Sequence, residues 1–176
     1  YLHLDGARIS NAAASLGSSL RAFTTDAGVD AVSLGGTKNG AMGAEAAVIL
    51  NPDLVPAMKY VRKSAMQLAS KMRFISIQLV AMFEGDLWLK NAQHSNAMAQ
   101  ELYKGIKGIP SVEVTQPQAN ALFPILPANS IEPLQEVAKF YVWDHTINQV
   151  RWMCSWDTTQ ADVDTFVAAV KAELAN

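Results

Sequence analysis

The chain has 176 residues, half of them hydrophobic and 17% charged, with 14 Lys and Arg against 16 Asp and Glu for a net charge of −2. That length supports one sizeable domain, or a lobe with a smaller partner, and that apolar content excludes a disordered chain. No run of lysines and arginines provides an electrostatic basis for nucleic-acid binding. The most apolar stretch, Ala41 to Leu50, is interrupted by Glu45 and falls far short of the ~20 residues of a membrane helix.

The sequence opens on Tyr1-Leu2-His3-Leu4-Asp5, with neither an initiator methionine nor a signal-peptide pattern, and reads as starting inside a longer protein. Tyr1 to Leu4 is a short β-like run that Asp5-Gly6 ends in a turn. Ala7 to Leu16 is an alanine-rich helix closed by Gly17, and Leu20 to Ala27 is a second helical piece closed by Gly28. Val29 to Leu34 reads as the next strand. Strand, helical crossover and strand over about thirty residues is the size of one βαβ unit, whose strands run parallel. Ligands of such sheets sit outside the carboxyl ends of the strands. Asp5 and Lys38 both lie just past such ends and are expected to face one crevice.

Glu45 to Leu50 is a third strand candidate, stopped by Asn51-Pro52. A helix over Pro52 to Arg62 carries Leu54, Val55, Met58 and Val61 at helical spacing. Arg62, Lys63, Lys71 and Arg73 follow close together, and Phe74 to Phe83 is a strongly apolar helix. Asp86 can cap a further helix in which Trp88, Ala92, Ser95, Ala99 and Leu102 share a face. The final third reads strand at Val112 to Val114, strand at Ala121 to Leu126, helix at Ile131 to Phe140, strand at Val150 to Trp156 and helix at Val163 to Leu174. Thr159 can cap that last helix, with Val163, Phe166, Val167, Val170 and Leu174 as its buried stripe.

Lys38 is set in Leu34-Gly35-Gly36-Thr37-Lys38-Asn39-Gly40, directly after an apolar strand. A lysine that forms a Schiff base needs access and room around its amine, which the glycines at 35, 36 and 40 are expected to supply. A carboxylate in the same crevice, here Asp5, could pair with the ring nitrogen of pyridoxal phosphate. By pattern alone a solvated loop lysine and a helix-capping aspartate remain the commoner reading. On the strand at Val150 to Trp156, Val150, Trp152, Cys154 and Trp156 alternate onto one apolar face, which sends Arg151, Met153 and Ser155 to the other. Cys154, the one cysteine, reads as a small core residue. It cannot form an internal disulfide, no Cys/His spacing resembles a metal site, and a reducing cytoplasm is the expected compartment. His3 suits packing and a hydrogen bond; His94 reads as exposed on a helix and His145 as part of a polar turn.

His3-Leu4-Asp5-Gly6-Ala7-Arg8-Ile9 with Asn11-Ala12 resembles the segment of low-specificity threonine aldolases that carries their cofactor aspartate. Ser33-Leu34-Gly35-Gly36-Thr37-Lys38-Asn39-Gly40 resembles their lysine segment, in wording closer to the phenylserine aldolase branch. Arg62-Lys63, Ser70-Lys71-Met72-Arg73-Phe74, Leu87-Trp88-Leu89, Asn91-Ala92, Val150-Arg151, Ser155 and Thr158-Thr159 extend the likeness over almost the whole chain.

The resemblance implies an α/β chain. It would be the C-terminal part of a fold type I pyridoxal-phosphate enzyme of the β-eliminating lyase group, with a mostly parallel sheet. Residues 1–73 would belong to the cofactor-binding large domain, 74–104 to bridging helices and 105–176 to a small α/β domain. It further implies that Lys38 holds pyridoxal 5′-phosphate covalently, that Asp5 pairs with its ring nitrogen, and that Arg8 lies near its phenolic oxygen. Arg73 would contact the cofactor, through its phosphate, and Arg151 would bind the α-carboxylate of an amino-acid substrate. The implied reaction is retro-aldol cleavage of a β-hydroxy-α-amino acid to glycine and an aldehyde. Another lyase or aminotransferase of the same fold, or a non-catalytic fragment, are the alternatives. The phosphate loop and the catalytic base are expected in a preceding segment, and a homo-oligomer, or pairing with an N-terminal half, is the expected assembly.

Overall fold

The computed structural model describes residues 1–175. Two units, Tyr1–Ala92 and Gln93–Asn176, each pack mainly within themselves. The first holds β1 (His3–Gly6), α1 (Ile9–Leu16), β2 (Ala31–Gly35), β3 (Glu45–Ile49), α2 (Val55–Ser64) and α3 (Arg73–Phe83). The helix α4 (Leu87–Ile106) begins in the first unit and ends in the second, which adds β4 (Ala121–Leu122), α5 (Ala128–Val137), β5 (Tyr141–Asp144), β6 (Gln149–Met153) and α6 (Gln160–Leu174).

In the first unit β1 and β2 pair in parallel, as the crossover length requires, with His3 opposite Ala31, Asp5 opposite Ser33 and Gly6 opposite Leu34. The strand lies two residues further along than the apolar run Tyr1 to Leu4, and so contains Asp5 and Gly6. Backbone pairing with β2, not local propensity, sets its limits. The N–H groups of Asp30 and Ala31 both donate to Leu2 O, at 2.9 and 3.3 Å, and lead into the ladder. β3 runs antiparallel to β2, with Gly35 opposite Glu45 and Ala31 opposite Ile49. Nine residues, 36–44, separate these two strands, fewer than the crossover of a dozen or more that a parallel return needs.

One face of this sheet is closed by Ile9, Val29 and Val32, with Leu4, Leu20, Phe23, Leu34, Val48 and Leu50 packed around them. The opposite face carries His3, Asp5, Ser33, Glu45 and Ala47, all exposed. Strand alternation makes this division, because these residues sit two apart along each strand and side by side across them. Gly17 ends α1 in the left-handed region at φ 61°, as its glycine suggested. The piece after it is only a short 3₁₀ turn, Leu20–Phe23.

The apolar positions of α2 do not form a buried stripe: Tyr60 and Val61 are 66% and 50% exposed, and no residue of the helix is buried. In α3 only Met82 is buried, while Phe74, Ile77 and Val80 face outward. Helical spacing identified both helices correctly but not what their apolar faces meet.

The second unit is an antiparallel sheet in the order β4-β6-β5, packed by α4, α5 and α6. Its core centres on Leu102, Ile106, Leu122, Leu134, Val150, Trp152, Cys154, Val163 and Val170. Phe140, Trp152 and Phe166 meet edge to face, with ring centroids 4.8 to 6.4 Å apart. Two expectations are corrected here. Val112 to Val114 is not a strand, since only Glu113 makes an isolated bridge, to Ile125. Tyr141–Asp144, between the expected helix and the Val150 strand, is itself a strand that supplies the edge beside β6.

Two features of this unit carry testable consequences. Gly105, inside α4, faces Val167 so closely that an added Cβ would lie 2.6 Å from one γ-methyl and 2.9 Å from the other. Valine's stiff χ1 leaves it little room to withdraw. Gly105→Ala is therefore expected to lower stability by about 1–3 kcal/mol in denaturant unfolding, although alanine is the better helix former. At the start of α6, Thr159 and Asp162 form a reciprocal capping box. The hydroxyl and backbone N–H of Thr159 hold the Asp162 carboxyl below its usual range. A carboxylate with a depressed folded pKa adds stability above its unfolded value and loses that contribution as pH falls through the folded one. Thr159→Val is accordingly expected to flatten the acid limb of the unfolding profile below about pH 4 and leave its neutral-to-basic shape unchanged.

Candidate active site

The site begins where β1 and β2 end side by side. After Asp5-Gly6 the chain turns through Ala7 and Arg8 into α1, and the Asp5 carboxylate accepts a hydrogen bond from the Ala7 N–H at 3.0 Å. That bond fixes the carboxylate at the strand end. Ser33, its neighbour on β2, bonds through Oγ to Nε2 of His3 at 2.8 Å, so Asp5, His3 and Ser33 form one polar cluster on the open sheet face. His3 is thus hydrogen-bonded as anticipated, but exposed rather than packed.

β2 leads through Gly35 and Gly36 into a 3₁₀ turn, Thr37–Asn39, whose middle residue is Lys38. The amine is exposed and takes part in no hydrogen bond or ion pair among the described residues. The two glycines do not make room for it, as the sequence suggested. A Cβ on Gly35 would lie 2.6 Å from Ala7 O, and one on Gly36 2.6 Å from Ala44 O. They permit backbone-to-backbone contact, and the Gly35 contact presses the end of β2 against the turn that follows Asp5. The Lys38 and Asp5 loops are thereby packed together at one end of the sheet.

Hydrogen bonds from several sides hold the lysine turn. Gly36 N–H donates to Ala44 O at 3.0 Å and Asn39 N–H to Gly36 O at 3.0 Å, while Thr37 N–H donates to the Glu45 carboxylate at 3.1 Å. Asn39 is 3% exposed. Its side-chain amide donates to Trp88 O at 2.9 Å, and its own carbonyl accepts from the Asn91 amide at 2.8 Å. Sequence reasoning singled out neither asparagine for a role at the site, because a Lys-Asn-Gly turn looks polar and exposed. Only its contact with the first turns of α4 makes Asn39 a buried residue.

Arg8 occupies the N-cap position of α1, half-buried and with a polar partner of its own. Arg73, the first residue of α3, is exposed, its guanidinium 4.8 Å from the Phe74 ring centroid. No hydrogen bond or ion pair among the described residues ties it to Lys38 or Asp5.

Arg151 belongs to the second unit. On β6 it lies opposite Tyr141 of β5, and its guanidinium stands 5.7 Å from the Tyr141 ring centroid and 5.1 Å from that of Trp143. Its Nε is buried without a hydrogen-bond partner, and the side chain joins no ion pair among the described residues. Two aromatic faces hold the cation while its donors stay uncommitted. The expected alternation holds at Val150, Trp152 and Cys154, all buried, but not at Trp156, which lies beyond the end of β6 and is 43% exposed. Burial raises the Cys154 thiol to about 11, which makes it a core group and a poor nucleophile. His94, exposed on α4 as expected, donates through Nε2 to the Thr158 carbonyl at 2.7 Å. No cluster of three metal-ligating side chains exists among the described residues, and no helix there is long and apolar enough to cross a membrane.

The profile of the family described as Beta-eliminating lyase matches residues 1–128. A low specificity L-threonine aldolase of Pseudomonas sp. (strain NCIMB 10558) is 41% identical over 173 residues, covering 97% of this chain and 50% of that protein. The low specificity L-threonine aldolase of Pseudomonas aeruginosa is 42% identical over 160 residues, covering 90% and 46%. The chain thus spans about half the length of these curated relatives. Among solved structures, a threonine aldolase of Leishmania major superposes with a TM-score of 0.87 at 30% identity, over 99% of this chain and 52% of that one. A protein of Exiguobacterium sp. 255-15, at 16% identity and a TM-score of 0.72, covers 98% of this chain and 52% of its own and shares the fold alone. The match over residues 1–128, carrying the Asp5 strand and the Lys38 turn, settles the family: this chain belongs to the β-eliminating lyases.

Proposed function

We propose that the chain forms part of a pyridoxal-phosphate-dependent aldolase that cleaves β-hydroxy-α-amino acids, threonine-like or phenylserine-like, to glycine and an aldehyde. The observation that carries this reading is the unpaired amine of Lys38 on a tethered turn, packed beside the turn that holds the Asp5 carboxylate. An amine and a carboxylate so placed suit the aldehyde and the ring nitrogen of pyridoxal phosphate. When bound, that cofactor supplies an electron-poor ring able to take up the electron pair released at Cα. Lys38 would hold it covalently, Asp5 would keep its ring nitrogen protonated, Arg8 would lie beside its phenolic oxygen and Arg73 would face its phosphate.

Arg151 would bind the substrate α-carboxylate. Its stacked guanidinium with an unpartnered Nε supports a bidentate contact, which lysine cannot reproduce. Arg151→Lys is expected to raise KM for threonine roughly 10- to 100-fold, the equivalent of a lost charged hydrogen bond. An unchanged KM would remove Arg151 from the substrate site. In domain terms, residues 1–73 would serve the cofactor-binding domain, 74–104 would bridge, and 105–176 would form the small domain. The outward-facing Tyr60, Val61, Phe74, Ile77 and Val80 support a homo-oligomer. The lone buried thiol suits a cytoplasmic protein.

Borohydride reduction of the holoenzyme followed by peptide mapping tests the central assignment. The label is expected on Lys38; a label elsewhere, or none, overturns it. Product analysis with threonine and with phenylserine then identifies the reaction. Glycine plus an aldehyde is expected, whereas a 2-oxo acid with ammonia would mean elimination instead.

A further inference from the structure

We propose that Asn39 and Asn91 are positioning residues for Lys38, a role that rests on the reading of Lys38 as the cofactor anchor. The lysine sits among Gly35, Gly36 and Gly40, the last at φ 114°, and glycine restrains its own backbone least. A lysine side chain is long and flexible, and its amine returns to one place only if its Cα is fixed. In this turn the fixing is done by the next residue.

Asn39 points inward where Lys38 points outward, and the two asparagines cross-link turn and helix in both directions. The Asn39 amide donates to the carbonyl of Trp88 at 2.9 Å, and the Asn91 amide donates to the carbonyl of Asn39 at 2.8 Å. Trp88 and Asn91 are three residues apart in the first turns of α4, hence on one helix face. The remaining donor of the Asn39 amide is directed at Met82 Sδ, 3.8 Å away in α3. Asn39→Ala would leave the turn without its inward donors, and Asn91→Leu would leave the carbonyl of Asn39, the residue after Lys38, unheld. Either change loosens the turn that carries Lys38 while leaving the Lys38 and Asp5 side chains and the sheet ladder unaltered.

Loss of such fixing reduces the fraction of time the amine spends in reacting position. A misplacement of about 1 Å is enough to lower a rate on the order of 100-fold. The test uses the holoenzyme with Asn91→Leu, chosen because Asn91 is half-buried, and Asn39→Ala as a second variant. Three readouts are compared with the parent: the rate at which hydroxylamine strips the bound cofactor, the split between kcat and KM, and the thermal midpoint. In Asn91→Leu the stripping rate is expected to rise roughly tenfold and kcat to fall roughly 10- to 100-fold with KM nearly unchanged. Asn91→Gln, which keeps the donor, is expected to recover most of both.

A variant that loses thermal stability yet keeps the parent's stripping rate and kcat overturns the positioning role and leaves the Lys38 assignment intact. So does a failure of Asn91→Gln to recover. A parent holoenzyme that borohydride does not label at Lys38 overturns both. Should Asn39→Ala not fold, the Asn91 pair alone decides between these outcomes.

Discussion

Lys38→Ala is expected to lower aldolase activity by a factor of about 10⁴ or more, because one residue acting within a catalytic unit commonly accounts for that much of kcat. The substitution itself is structurally mild. Lys38 is exposed, bonds to nothing among the described residues, and sits in a turn held by its neighbours and not by its own side chain. Thermal unfolding of the variant should therefore match the parent within a few degrees, so that lost activity cannot be ascribed to lost fold. The visible absorbance of the lysine-bound cofactor should vanish at the same time. Activity within tenfold of the parent would show that the amine is an ordinary surface cation, the reading that pattern alone favours.

Asp5→Asn is expected to reduce kcat roughly 100- to 1000-fold, the scale on which a single preorganised electrostatic partner contributes. Asparagine is nearly isosteric and its Oδ1 can still accept from the Ala7 N–H, the bond that orients the aspartate. What changes is the charge. A carboxylate stabilises a proton on a ring nitrogen, whereas a neutral amide does not, and the ring then takes up electrons less readily. Asp5→Glu keeps the charge but moves it by a methylene off the Ala7 anchor, and should fall between the two. An Asp5→Asn enzyme as fast as the parent would mean that Asp5 merely caps the turn into α1. The two substitutions act at one centre, so their effects should not add.

Much of the site's neighbourhood follows from local pattern. The crossover between Leu4 and Val32 is too long for a hairpin and about right for a βαβ unit, which places Asp5 and the Lys38 turn at the same end of paired strands. The capping box at Thr159 and the apolar face of Val150, Trp152 and Cys154 were likewise readable, because helix caps and strand alternation depend on residues a few positions apart. Strand limits were less so. β1 lies two residues further along than its apolar run, because its extent is set by β2, some 28 positions away, while β5 is a short edge strand defined only by its hairpin pairing with β6.

The sequence by itself determined the α/β class and, through its spaced Asp5, Lys38 and Arg151 segments, the family. The tertiary structure alone decided what surrounds them: that Gly35 and Gly36 serve close backbone contact and not room for an amine, that Arg151 lies over the rings of Tyr141 and Trp143, and that Asn39 is buried and reached by Asn91. The physical reason is the range of the interactions. Periodicity and caps are local and leave their mark within one element, whereas burial and hydrogen-bond partnership belong to pairs such as Asn39 and Asn91, 52 positions apart, and arise only when the chain has folded back on itself.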